Sequence, residues 1–175
     1  MGYSTLVRFG QLLILLVVQV LLLNHMHLFG YVTPVIIGYL VVRMDTSVSR
    51  MAHLLWGFAV GLLFDLFSNT AGMGAATCTL LAMVKPYLLR LFMPRDVVGA
   101  FRPTVQSLTL SRYAWYVLSC MGLFHVTFYL LEAFTLSNIW LTIAAMVGGT
   151  LVSSVVIVCF EYIRHGRPQE REVKK

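Results

Sequence analysis

Long apolar runs separated by short polar segments dominate the chain, and none of the runs alternates with a period of two. Six runs stand out: Phe9–Leu23, Val32–Val42, Ala52–Phe67, Gly72–Leu91, Tyr113–Phe134 and Trp140–Tyr162. A membrane-crossing α-helix takes about 20 apolar residues, and the missing alternation disfavours a β-barrel. The pattern predicts an all-α, polytopic membrane bundle of six transmembrane helices over residues 1–163, followed by a polar cytoplasmic tail over residues 164–175.

The segments between these runs predict how the helices connect. Only residues 68–71 separate the third run from the fourth, which predicts an antiparallel hairpin. The second run is short and contains Pro34 and Gly38, so we expect it to be tilted, irregular or completed by Leu28–Tyr31. Apolar residues interleaved with arginines in Phe92–Ser111 predict a short interfacial helix, with a partner-binding loop as the alternative.

Composition and charge support membrane insertion and define an orientation. Charged residues make up 11% of the chain, against about 25% in soluble domains, which excludes an ordinary soluble protein. All 13 Lys and Arg residues fall at the N-terminus, between the second and third runs, from the end of the fourth run to the fifth, or in the tail. Loops rich in Lys and Arg stay cytoplasmic, so both termini are predicted to be cytoplasmic. The net charge of +6 then reflects topology and contact with anionic lipid rather than nucleic-acid binding.

The third span carries a stripe of small residues that ends on a carboxylate. Gly57, Gly61 and Asp65 are spaced by four, together with His53, so they share one helix face. Small residues at this spacing allow close helix contact. We interpret the stripe, together with Gly72 and Pro34, as a seam within the bundle or against a partner helix. In the alternative, Asp65 reaches interfacial water or caps the following turn.

Further polar groups lie inside the fifth and first spans. His125, Tyr129 and Glu132 fall on one face of the fifth span, and we predict that they form a polar network together with Gln19 of the first span. A metal site would need His25 and His27 to join them, and no metal is predicted.

The fourth and sixth spans add two more features. Ala145, Gly149 and Ser153 form a close-contact ridge on the sixth span, either inside the bundle or in a homo-oligomer. Lys85 is expected to reach the inner interface beside the kink at Pro86.

Motifs for catalysis are missing from the sequence. It contains no Ser-x-x-Lys pair, nucleophile elbow, zinc-protease helix or phosphate loop. The three cysteines are widely spaced in apolar runs, which is typical of buried thiols. We therefore predict a protein that is not an enzyme and uses no cofactor.

Five stretches of the chain carry a family resemblance, and the second is the most specific: Leu28–Pro34, Gly61–Ala76, Lys85–Tyr87, His125 and Leu131–Phe134. They resemble the MreD family of rod shape-determining proteins, most closely the versions from the Bacteroidota. The resemblance covers nearly the whole chain. It implies that Asp65 is the family's polar position, flanked by Gly61 and Gly72.

The resemblance implies a non-enzymatic scaffold or regulator of the cell-elongation complex in the bacterial inner membrane. Such proteins dock the single-pass protein MreC, and through it connect to MreB, RodA and the elongation transpeptidase that build peptidoglycan. The family is similar in fold to the substrate-binding subunits of energy-coupling-factor transporters. Two other functions stay open: a vitamin or small-molecule transporter subunit with an outer-facing pocket near Asp65, His125 and Glu132, and a handler of lipid-linked precursors.

Overall fold

The computed structural model describes residues 35–70, 72–94, 101–132 and 139–165, and within them every regular element is helical. The helices are α1 (Gly38–Val42), α2 (Arg50–Ser68), α3 (Met73–Phe92), α4 (Leu110–Glu132) and α5 (Ile139–His165). Four of them, α2 to α5, are long and apolar enough to cross a membrane. They correspond to the last four predicted spans. The described part of the chain is therefore all-helical, and its four long apolar helices give the protein the character of a multi-pass membrane protein.

The predicted hairpin between the third and fourth apolar runs is formed by α2 and α3. Ser49 caps the N-terminus of α2, where its side-chain oxygen accepts a hydrogen bond from Ala52 N at 3.3 Å. Asn69 ends the helix in the left-handed conformation at φ 55°, and Gly72 precedes α3 at φ 80°. Two left-handed residues so close together reverse the chain sharply, and glycine adopts this conformation without strain.

The small residues of the third span lie at the contact between α2 and α3. A Cβ atom on Gly57 would lie 2.8 Å from Cβ of Ala82, and one on Gly61 would lie 2.6 Å from Cα of Ala75. No room exists for either added carbon, so the two helix backbones approach as closely as glycine permits. The seam is thus filled by this chain's own helix.

Helix α4 occupies the centre of the bundle and contacts α1, α3 and α5. Its buried face repeats at helical spacing and comprises Tyr113, Tyr116, Val117, Cys120, Met121 and Phe124. Val35–Val42 packs against this face and is buried along its whole length. The described part of the second predicted span is therefore a buried segment ending in the five-residue helix α1. Residues 1–34, with Gln19, His25, His27 and Pro34, lie outside the described residues.

The described part of the connection between α3 and α4 differs from the interfacial helix expected over Phe92–Ser111, of which residues 95–100 lie outside the described residues. Residues 101–109 contain a turn and no helix, and their apolar members Phe101, Val105 and Leu108 are buried in the core. The Ser107 hydroxyl bonds to backbone and side-chain groups of Thr104, which favours a turn over a helix. Phe101 and Thr46 exchange hydrogen bonds at 2.8 and 2.9 Å, which fastens this connection to the segment before α2.

Charge is distributed unequally between the two ends of the bundle. Seven Lys and Arg residues are described, and all lie toward the end where α2 and α4 begin: Arg43, Arg50, Lys85, Arg90, Arg102, Arg112 and Arg164. We call this the basic end. The opposite end, where α2 and α4 finish, carries Asp65 and Glu132 and no Lys or Arg among the described residues. We call it the acidic end.

Candidate functional site

Asp65 lies at the acidic end, near the C-terminus of α2, and is 7% exposed. Its Oδ1 accepts hydrogen bonds from Thr70 Oγ1 at 2.6 Å and from Gly74 N at 2.7 Å. Its Oδ2 accepts one from Ala75 N at 2.8 Å. Both carboxylate oxygens are therefore engaged by donors from the following turn and the first turn of α3.

This geometry makes Asp65 a cap of the next helix. The first N–H groups of an α-helix have no partner within the helix, and negative charge is stabilised at that end. Asp65 therefore caps α3 and, by the same hydrogen bonds, fastens α2 to α3 at the end of the seam. We refer to residues 65–70 and 72–75 as the Asp65 turn.

Glycines fit the Asp65 turn to the seam between α2 and α3. A Cβ atom on Gly74 would lie 2.7 Å from Asp65 Oδ1 and 2.6 Å from a ring carbon of Phe64. A Cβ atom on Gly72 would have no atom within 4 Å, so lack of space is not what requires glycine there. Glycine is required because the backbone at this position is left-handed. Gly57, Gly61, Asp65 and Gly72 of the predicted seam are therefore brought together in one hairpin, while Pro34 lies outside the described residues.

The predicted polar face of the fifth span is on α4, where the described hydrogen bond of His125 is made within its own helix. His125 is 1% exposed, and its Nδ1 lies 2.9 Å from Met121 O. Its ring stacks at 6.3 Å on Tyr129. Among the described residues, His125 Nε2 has no hydrogen-bond partner, and no hydrogen bond joins His125 to Glu132. Gln19 lies outside the described residues.

The small-residue ridge of the sixth span is buried inside this chain. A Cβ atom on Gly149 would lie 2.8 Å from His125 Nε2, so the imidazole of α4 packs directly on the backbone of α5. Ser153 Oγ accepts a hydrogen bond from Val35 N at 2.9 Å, and Ala145 is 4% exposed. The ridge therefore joins α5 to α4 and to the segment before α1.

A buried ionic cluster at the basic end was missed by the sequence reasoning. Glu161 on α5 is fully buried and accepts a hydrogen bond from the Tyr39 hydroxyl of α1. Arg43 Nε lies 3.8 Å from Glu161 Oε1, and its guanidinium lies 5.8 Å from the centre of the Tyr39 ring. We refer to Tyr39, Arg43 and Glu161 as the Glu161 cluster. The available signal was a lone carboxylate inside the sixth apolar run.

Lys85 is a second basic-end residue whose position differs from expectation. Its side chain was expected to reach the interface, but the residue is 1% exposed. The ammonium donates a hydrogen bond to Met44 O and lies 3.5 Å from His53 Nε2. The segment before α2 covers the lysine and supplies the carbonyl, so the head group needs no water at that point.

An exposed ion pair anchors the connections at the same end. Arg102 Nε and Nη2 donate to the two carboxylate oxygens of Asp45 at 2.5 and 2.8 Å. This two-point contact, in which the donor is already charged, raises the pKa of Arg102 above its ordinary value. It therefore fixes the connection after α3 against the segment between α1 and α2.

The described residues bring no three His, Cys, Asp or Glu side chains together in an arrangement that could hold a metal ion. The described hydrogen bonds of Asp65, Lys85 and Glu161 join different helices or segments of the chain to each other. With four membrane-length helices, these features define a helical, multi-pass membrane protein with internally bonded polar groups.

Comparisons with protein-family models, with curated proteins and with solved structures returned no match for the chain.

Proposed function

We propose that this chain is an MreD-like scaffold of the cell-elongation machinery, which docks a single-pass MreC-like protein and helps control peptidoglycan synthesis and cell shape. The observation that carries the proposal is the Asp65 turn. The most specific motif of the resemblance, Gly61–Ala76, coincides with that turn and with the glycine seam beside it. The motif therefore corresponds to one rigid hairpin rather than to scattered residues.

A rigid hairpin suits a protein that positions other membrane proteins. Asp65 uses both oxygens within the chain, and Gly57 and Gly61 have no free surface. The outward faces of the four long helices are apolar, as with Leu62 of α2 at 51% exposed and Leu151 of α5 at 52%. Partner helices are thus expected to dock on such outward faces, while the seam keeps the scaffold's shape. Binding shifts the partner complex only if its contacts differ between states.

Charge distribution supports a particular orientation for the proposed protein. All seven described Lys and Arg residues lie toward the basic end, and basic loops stay on the cytoplasmic side. We therefore propose that the basic end faces the cytoplasm of a bacterial inner membrane. The proposed bundle has six spans, similar in fold to the substrate-binding subunits of energy-coupling-factor transporters, with both termini cytoplasmic.

One observation bears on the alternative that the chain is a transporter subunit. His125 is buried and its Nε2 has no hydrogen-bond partner among the described residues, but this atom packs on the backbone at Gly149, so a ligand could bind it only after α5 moves away. Against this, Asp65 is consumed as a helix cap, so it would not line an outer pocket with its charge free. A small molecule that remains bound to the purified chain would favour the transporter function.

Co-purification from native membranes in a mild detergent tests the proposal. We expect a single-pass, MreC-like protein to accompany the chain in near-stoichiometric amount. Gly61→Ala should reduce recovery of this partner, because the added carbon displaces α3. Gly122→Ala is the matched control, since its Cβ would have only Thr150 Cγ2 within 4 Å, at 3.8 Å. Recovery of the chain without such a partner would contradict the proposal.

A further inference from the structure

A cavity of about 470 Å³ opens between α2 and α3 at the basic end, beside the segment that precedes α2. Its lining includes His53 and Lys85 at the inside and Arg50 and Arg90 toward the end of the bundle. The cavity lies at the other end of the hairpin from the Asp65 turn, so it is separate from the site described above.

The lining of the cavity is strongly biased toward positive charge. It contains three basic side chains and one histidine, and no Asp or Glu. The ion pairs given above engage Arg43 and Arg102. Within the described ranges, Arg50, Lys85 and Arg90 have no carboxylate at ion-pair distance. Within the described residues, three basic side chains with no ion-paired carboxylate therefore line one cavity, which favours an anionic ligand.

Lys85 is placed to contact such a ligand from the inside of the cavity. An ammonium group has three hydrogen-bond donors, of which Met44 O takes one and His53 Nε2 lies near another. A further donor is left for an oxygen of the ligand. Because Lys85 is 1% exposed, its interaction with an anion is weakly screened by solvent.

The exposed arginines and the apolar side chains of the lining follow one another along the bundle axis. Arg50 is the first residue of α2 and Arg90 lies in the last turn of α3, and both are exposed. Leu54 follows Arg50 by one turn, and Met83 precedes Arg90 by about two turns. Met83 is 56% exposed and thus accessible from the membrane side. The order, charge at the membrane surface and apolar wall beneath it, matches an amphipathic molecule better than a free anion.

We propose that this cavity binds the phosphate-bearing headgroup of an anionic membrane lipid, with an acyl chain lying along Leu54 and Met83. Arg50, Lys85 and Arg90 contact the phosphate, and His53 borders it. The inference is independent of the scaffold function, because it uses neither the Asp65 turn nor any partner protein.

Lipid titration by native mass spectrometry of the full chain in a non-ionic detergent tests the site. We expect phosphatidylglycerol to bind at least tenfold more tightly than phosphatidylcholine with the same acyl chains. Each basic residue near a membrane surface contributes about 1 kcal/mol to binding anionic lipid. Arg50→Gln and Arg90→Gln should therefore each weaken phosphatidylglycerol binding about fivefold, and about 25-fold together. These exposed residues are chosen because replacing the buried Lys85 endangers folding.

Arg112→Gln is the matched control, because Arg112 is exposed at the same end of the bundle but is not part of the lining. We expect its phosphatidylglycerol affinity to stay within twofold of the wild-type value. Equal losses in Arg112→Gln and the two cavity variants would overturn the proposal, since general surface charge would then explain binding.

Two further measurements distinguish a lipid from a soluble phosphate. Met83→Asn removes apolar contact without changing charge, and we expect it to weaken phosphatidylglycerol binding several-fold. Inorganic phosphate and glycerol phosphate should displace the lipid only at far higher concentration. Displacement at equal concentration, together with an unaffected Met83→Asn variant, would show a site for a free phosphate and overturn the lipid assignment.

Discussion

Asp65 and Glu161 are buried carboxylates at opposite ends of the bundle. The residues to which they bond lie at very different distances along the sequence. Asp65 bonds to Thr70, Gly74 and Ala75, which lie 5, 9 and 10 residues further along the chain. Glu161 bonds to Tyr39, which is 122 residues away. Asp65 thus stabilises a local turn, whereas Glu161 joins α5 to the segment around α1.

The difference shows how each carboxylate contributes to stability. Asp65 accepts hydrogen bonds from main-chain N–H groups at the start of α3, which have no acceptor within their own helix. Glu161 is stabilised by a neighbouring cation and a hydroxyl, which come together only when the whole bundle has assembled. We therefore expect changes at Asp65 to act locally and changes at Glu161 to loosen α1, α4 and α5 together.

The largest effect is expected from Glu161→Gln. Removing the carboxylate beside the partly buried Arg43 guanidinium should lower the free energy of unfolding by about 3 kcal/mol, because a buried pair broken on one side is costly. Denaturant titration in micelles measures this. The double variant Glu161→Gln with Arg43→Gln should recover part of the loss, as a double-mutant cycle would reveal. Strictly additive single losses would contradict the pairing.

Gly61→Ala is expected to have the next largest effect. Its new carbon would lie 2.6 Å from Cα of Ala75, and backbone atoms cannot move aside as a flexible side chain can. Overpacking of this kind lowers the free energy of unfolding by about 2 to 3 kcal/mol. Gly122→Ala, whose new carbon would make only an ordinary van der Waals contact of 3.8 Å with Thr150 Cγ2, should be neutral or stabilise by up to about 1 kcal/mol. Equal behaviour of the two variants in the same titration would refute the close seam.

Asp65→Ala should lower the free energy of unfolding by about 2 kcal/mol, since it leaves the N–H groups of Gly74 and Ala75 without an acceptor. Hydrogen exchange provides the sharper readout. We expect faster exchange confined to the first turn of α3, in contrast to the distributed change in Glu161→Gln. Faster exchange in α5 as well would contradict the expectation that changes at Asp65 act only locally.

Thr70→Val should have the smallest effect, a loss of about 1 kcal/mol, because it removes only the hydroxyl bond to Asp65 Oδ1. Valine keeps nearly the same volume, so packing is little changed. Thermal unfolding of Thr70→Val and Asp65→Ala, compared under the same conditions, measures how much of the stability loss in Asp65→Ala comes from the hydrogen bond to the Thr70 hydroxyl. A loss in Thr70→Val as large as in Asp65→Ala would mean that the backbone donors contribute little.

The same contrast explains how much of the fold the sequence could predict. The α2–α3 hairpin follows from the short connection, and a stripe such as Gly57, Gly61 and Asp65 is visible because its members share a helix face. The four long helices were predicted as spans because apolar length alone determines them. Sequence spacing could not assign the seam to α3 rather than to a partner, since both surfaces would favour small residues.

Features that depend on long-range contacts were beyond the sequence pattern. Glu161 looked unremarkable beside the basic tail, because nothing local reveals Tyr39 and Arg43 as its neighbours. Lys85 was expected at the interface because snorkelling is the usual outcome for a lysine near a helix end, and the covering carbonyl of Met44 is 41 residues away. The same holds for the connection before α4, where the side chains of Phe101, Val105 and Leu108 are buried in the core instead of facing lipid.

The most direct test of the proposed scaffold function is depletion of the protein from the bacterium that encodes it, with cell shape and the position of new peptidoglycan recorded by fluorescence microscopy. We expect cells to lose their elongated form and to stop inserting wall material along their sides. The wild-type chain and Gly122→Ala should restore both, and Gly61→Ala should not. Unchanged shape and wall insertion after full depletion would contradict the scaffold function.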